Sequence, residues 1–135
     1  MAILLDAGIL YAYYDHRDEW HKRTVDLFKK EGRTLIVPAP IIPEVDHLLG
    51  SRIGASAQRT FYRSLSDGEY FIADLPKDKY ARVEELNRQF STLALGFVDA
   101  AVIAISESLG LPRIATTDRR HFTPLAAALS LELLP

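Results

Sequence analysis

Ala2-Ile3-Leu4-Leu5-Asp6 is an apolar run closed by a carboxylate, and the same arrangement returns along the chain. Leu35-Ile36-Val37 leads through prolines 38, 40 and 43 to Glu44, and Ile114-Ala115-Thr116-Thr117 leads to Asp118. Asp99 opens a further apolar stretch, in Gly96-Phe97-Val98-Asp99-Ala100-Ala101. Short apolar segments alternating with helical ones signal a parallel sheet covered by helices, so the fold class is α/β. In such a sheet ligands bind in the crevice outside the carboxyl ends of the strands. Acids carried there by different strands can meet although far apart in sequence. At ~5 Å and an effective dielectric of ~20, each pair of unit charges repels by roughly 3 kcal/mol. A hard divalent cation with oxygen ligands relieves that repulsion.

The remaining elements follow from periodicity and breakers. Strands are expected at Ala2 to Leu5, Leu35 to Val37, Tyr70 to Ile72, Arg113 to Thr116 and, at an edge, Leu131 to Leu134. A short helix is expected near Ile9 to Tyr14, and an amphipathic one from Trp20 to Lys30, ended by Gly32. The three prolines suit a loop entering a first helical turn, where a missing N–H costs little. That helix runs on toward Ile53, and Ser56 is expected to cap the next, which carries Phe61 and Leu65. Asp67-Gly68 reads as a turn. Helices are then expected from about Asp78 to Phe90 and from Val98 to Leu109, the latter stopped by Gly110 and Pro112.

A chain of 135 residues suits one domain with one core, here residues 1 to 135. It is 48% hydrophobic and 25% charged, ordinary for a globular protein. Leu93 to Leu111 is interrupted by Asp99 and Glu107, so no membrane span is expected. The first residues lack a basic region and read as a buried strand, not a signal peptide. With no cysteine, disulfides, thiolate catalysis and cysteine-bearing zinc sites are excluded. A cytoplasmic location is the expectation. Net charge is −2, which does not draw in nucleic acid as a strongly basic chain would. With the four acids screened by metal, the rest is mildly basic, and Arg52, Arg59, Arg63, Arg119 and Arg120 are candidate phosphate contacts.

Each acid also has a plain structural role open to it. Asp6 could simply cap the following helix, and Glu44 sits in a first turn, where the dipole favours negative charge. A turn aspartate beside arginine, as at Asp118, is commonplace. Asp99 is harder to explain that way. Its helix is apolar on nearly every face and so buried, and a carboxylate there must cap, pair or bind a cation. All four acids share one kind of topological position, which favours a common site over coincidence.

These blocks resemble the PIN domain family, and in particular its small VapC-type ribonuclease toxins from type II toxin–antitoxin pairs. The resemblance runs from the first strand to the last. It is carried by Leu5-Asp6-Ala7-Gly8-Ile9-Leu10, by Val37-Pro38-Ala39-Pro40 before Glu44-Val45, by Gly96-Phe97-Val98-Asp99-Ala100-Ala101, and by Ile114 through Phe122. The last two blocks are the specific ones. The resemblance implies a three-layer α/β/α domain with a central, mainly parallel sheet of about five strands. It also implies a Mg2+ or Mn2+ site built from Asp6, Glu44, Asp99 and Asp118, with the Thr116 hydroxyl helping to orient it. Many relatives carry Ser or Thr directly after the first aspartate, whereas this chain has Ala7 and Gly8. That departure bears on the efficiency of the site.

By this reading Asp6 and Asp99 ligate directly, Asp118 directly or through water, and Glu44 holds a second ion or orients the attacking water. A divalent ion lowers the pKa of a water and neutralises charge on the phosphate during in-line attack. Water, not the RNA 2′-hydroxyl, is the nucleophile, so a 3′-hydroxyl and a 5′-phosphate are expected. The expected partners are an RNA substrate, a cognate antitoxin seated near the acids, and a second copy in a homodimer. Subunit or antitoxin contacts are expected at Tyr11 to Tyr14 and Ser56 to Ser66. Tyr11, Tyr13 and Tyr14 could stack RNA bases, but at least one is expected in the core. His121 reads as a surface histidine in a basic turn, with a general-base role as its rival. The histidines lack zinc spacing. A haloacid dehalogenase would place a second Asp where Gly8 stands, and a receiver domain would need paired acids near the first strand. The alternative of another class is a catalytically weak or silent PIN-fold module that binds RNA or protein.

Overall fold

A computed structural model describes residues 2–31 and 34–135; the expected helix stop at Gly32 lies outside them. Five strands make one sheet: β1 (Ile3–Leu5), β2 (Leu35–Pro38), β3 (Phe71–Ala73), β4 (Arg113–Ala115) and β5 (Glu132–Leu134). Their order is β3-β2-β1-β4-β5, and every pairing is parallel. Leu4 faces Ile36 on one side and Ile114 on the other. β1 is buried throughout, as a strand covered on both faces must be. The chain winds outward from β1 to β3, then returns to continue at β4. The order therefore reverses between β1 and β4, and a crevice opens at their carboxyl ends.

Seven α-helices among the described residues flank the sheet: α1 (Ala7–Tyr14), α2 (His21–Glu31), α3 (Ile42–Arg52), α4 (Ala55–Ser66), α5 (Tyr80–Gln89), α6 (Gly96–Leu109) and α7 (Arg119–Leu129). Pro38 ends β2, Pro40 lies in a short 3-10 turn, Ala39–Ile41, and Pro43 sits in the first turn of α3. Every residue from Ala100 to Ser106 of α6 is buried, in keeping with its apolar sequence. Ile3, Leu4, Leu10, Phe61, Ile103, Ile105 and Phe122 are among the largest fully buried side chains and centre the core. No helix among the described residues is long and apolar enough to cross a membrane.

One local expectation is corrected, and one helix was not expected. Ser56 does not cap α4; the helix begins at Ala55, with Gly54 at the cap position and no side-chain bond there. Residues 119 to 129 form a helix with Pro124 inside it, which the sequence reading did not include. At least one tyrosine of α1 lies in the core, as expected. Tyr11 is buried, with its phenol donating to Asp15; Tyr13 stacks on Phe28 at 4.6 Å; and the Tyr14 and Tyr70 hydroxyls are 2.8 Å apart.

Candidate metal centre

All four acids stand at the N-terminal ends of helices. Asp6 is the N-cap of α1, accepting from Ala7 N at 2.8 Å, and Asp118 is the N-cap of α7, accepting from His121 N at 3.1 Å. Glu44 lies in the first turn of α3 and Asp99 in that of α6. The orphan N–H groups of each helix start carry partial positive charge, which offsets part of the repulsion among acids. The plain capping roles and a shared site are therefore compatible.

Asp6 and Asp118 follow the two strands at the reversal of sheet order, β1 and β4, and Thr116 joins them. The Thr116 hydroxyl, fully buried, donates to Asp6 Oδ2 at 2.9 Å and accepts from Asp118 N at 2.9 Å. Asp99 arrives from α6, whose start is clamped by Asn87: its amide donates to Gly96 O at 3.0 Å and accepts from Gly96 N at 2.9 Å. Gly96 has φ of +77°, a conformation glycine adopts without strain, and it turns the chain into α6 just ahead of Asp99.

The sequence reading missed His121. It is not in a surface turn but in the first turn of α7, its side chain 19% exposed. Its Nδ1 is 2.6 Å from Asp99 Oδ2 and 3.2 Å from Asp118 Oδ2. One donor atom from each of Asp99, Asp118 and His121 lies within 4.8 Å of the others. The available signal was the spacing: an N-cap aspartate puts the residue three positions on beside it, and Phe122, Leu125 and Leu129 give the helical period.

Asp6 and Glu44 stand outside that triad but feel it. The Asp6 carboxyl is pushed up to about 7, first by burial and then by the Asp99 charge, against the lowering effect of its bonds to Ala7 and Thr116. Asp99 is raised, chiefly by burial, with the His121 bond opposing. Glu44 is an exposed residue, yet its carboxyl is raised by partial desolvation and by the charges of Asp99 and Asp118. Asp6, Glu44 and Asp99 thus each sense the charge of at least one other acid. Oxygen donors with unrelieved negative charge fit a hard divalent cation.

Gly8 lies in the first turn of α1. A Cβ built there would lie 2.2 Å from Thr117 Oγ1, so the Thr117 side chain fills the space beside α1 where residue 8 would carry one. Of the arginines, Arg52, Arg59, Arg63 and Arg120 are exposed. Arg119 is tied down: its guanidinium donates to Pro135 O at 3.0 Å and lies 5.6 Å from the Trp20 ring.

The profile of the PIN domain family matches residues 3–127. Ribonuclease VapC26 of Mycobacterium tuberculosis is 24% identical over 123 residues, covering 91% of each chain. In structure the chain is similar to M. tuberculosis VapC20, described as a sarcin–ricin loop cleaving toxin. That likeness has a TM-score of 0.84 at 18% identity and covers 99% of this chain and 100% of the other. FitAcB from Neisseria gonorrhoeae gives 0.73 at 14% identity, over 98% and 96%. The two structural likenesses speak to the fold.

Proposed function

This chain belongs to the PIN domain family, and from that premise we propose that it is a Mg2+- or Mn2+-dependent endoribonuclease, the toxin of a type II toxin–antitoxin pair. One observation carries the reading. On top of burial, the Asp99 charge raises the carboxyls of Asp6 and Glu44, the Asp118 charge raises those of Asp99 and Glu44, and Asp6 is pushed up to about 7, all beside the point where the sheet order reverses.

Asp99 and Asp118 hold the ion in this reading, with Asp6 beside them. When bound, the ion supplies Lewis acidity that activates a water and screens the scissile phosphate. Thr116 fixes the Asp6 carboxylate by donating to one oxygen, while its own oxygen is held by the Asp118 N–H. Glu44, the exposed acid, orients the attacking water or takes a second ion. Water rather than the 2′-hydroxyl attacks, leaving a 3′-hydroxyl and a 5′-phosphate. Exposed Arg52, Arg59, Arg63 and Arg120 are available to RNA phosphates. The ribonuclease name of VapC26 and the toxin description of VapC20 support the substrate class and an antitoxin partner, and a homodimer belongs to the same proposal.

The deciding experiment is RNA cleavage in Mn2+ by wild type, D6N and D99N. Loss of cleavage in both variants supports the enzyme. Equal cleavage by all three would point to a contaminating nuclease and leave the silent binding module in its place.

A further inference from the structure

His121 brings the nitrogen donor of the Asp99, Asp118 and His121 triad, and no part of the four-carboxylate reading uses it. Three features hold its ring there. The backbone N–H of His121 donates to Asp118 Oδ1 as part of the α7 cap. The Nδ1 atom lies between Asp99 Oδ2 at 2.6 Å and Asp118 Oδ2 at 3.2 Å. Next in the chain, Phe122 is fully buried and anchors that turn to the core. The ring is therefore kept inside the crevice by the same turn that places Asp118.

We propose that His121 is itself a ligand of the divalent ion through Nδ1, and that it tilts the centre toward Mn2+ over Mg2+. The inference rests on the metal-dependent reading above. Mg2+ is served by carboxylates and water, and an imidazole adds little for it. First-row transition ions bind imidazole nitrogen better than Mg2+ does, and Mn2+ shares with Mg2+ the acceptance of carboxylates and water. Two carboxylates and one imidazole on a half-buried face make a mixed donor set. Such a set discriminates between ions that an all-oxygen site would treat alike. A carboxylate oxygen only accepts, so Nδ1 carries a hydrogen while it faces Asp99 alone. The ion takes that hydrogen's place, and the neutral ring then carries its one hydrogen on Nε2.

The rival role for His121 is to orient Asp99 by donating to it, without touching the ion. H121N separates the two, because an asparagine amide can still donate from nearly the same point but offers no imidazole. Titrate the full chain, wild type and H121N, with Mn2+ alone and with Mg2+ alone by calorimetry, and record pulsed electron paramagnetic resonance of the Mn2+ complex. The expected result is nitrogen modulation in wild type and none in H121N. Mn2+ affinity should fall about tenfold or more in the variant with Mg2+ affinity unchanged. Mn2+ bound to wild type without nitrogen modulation overturns the proposal, as does an equal loss for both ions. H121Q, which moves the amide by one methylene, should lose the modulation too; its survival in either variant assigns the nitrogen elsewhere. Uptake of neither ion by wild type sinks the metal-dependent reading itself, a result unlike any of these.

Discussion

Thr116 Oγ1 donates to Asp6 Oδ2 at 2.9 Å across 110 positions of sequence, joining the ends of β4 and β1. The same oxygen accepts from Asp118 N, so one buried hydroxyl sets the rotamer of one acid and the backbone of another. Both partners lie where the sheet order reverses. The bond also lowers the proton affinity of Asp6, against the effect of burial.

Replacing Thr116 by Val should therefore act twice. The shape is kept, but Asp6 and the Asp118 N–H each lose a partner, costing about 1–3 kcal/mol in denaturant unfolding. The Asp6 carboxyl should also rise further, which carboxyl-selective NMR titration would detect. Thr116→Ser, which keeps the oxygen, should restore most of both. A T116V protein as stable as wild type would contradict the linkage.

Asp6 makes metal-free stability depend on pH. Its carboxyl is raised from 3.8 to about 7, so the folded chain holds the proton more tightly than the unfolded one. The resulting stability is fully present below about pH 4 and is lost as pH rises toward about 7, on the order of 4 kcal/mol at ~1.4 kcal/mol per unit. In chelator, wild type should thus lose ground to D6N between those limits. Urea unfolding of both proteins across the window checks this; parallel curves would refute it.

The close approach at Gly8 predicts a coupled pair. Gly8→Ala places a methyl 2.2 Å from Thr117 Oγ1 and should cost about 1–3 kcal/mol. The Thr117 Cβ is 3.5 Å away, an ordinary contact, so Thr117→Ala in the same chain should recover much of the loss. A double-mutant cycle reads the coupling. Additive effects would mean that the two side chains do not compete for this space.

Arg113 ties the end of α2 to the far half of the sheet. Its guanidinium is 2.9 Å from Glu31 and 3.5 Å from Glu132, and the Arg113 and Glu31 side chains are each 13% exposed. Removing one member of this partly buried pair leaves the other without its partner, so R113M should cost about 1–2 kcal/mol. Arg113 holds the Glu31 carboxyl below its usual range. That contribution is present above the ordinary carboxylate pKa and is lost as pH falls through the lowered one. E31Q should flatten this acid limb in thermal melts.

Sequence alone determined the alternation of strand and helix, the burial of α6, its stop at Gly110, and the placing of all four acids beside strand ends or helix starts. Those features are local: periodicity, breakers and caps are written in neighbouring residues. Only the tertiary structure decided that His121 belongs among the carboxylates, that residues 119 to 129 stay helical around Pro124, that Asp6 is buried deeply enough to rise to about 7, and that Tyr11 is the α1 tyrosine buried in the core. Each of these depends on which distant segment packs alongside. A parallel sheet draws its crevice from strands more than 100 residues apart, and no local pattern encodes the distance between side chains that meet only there.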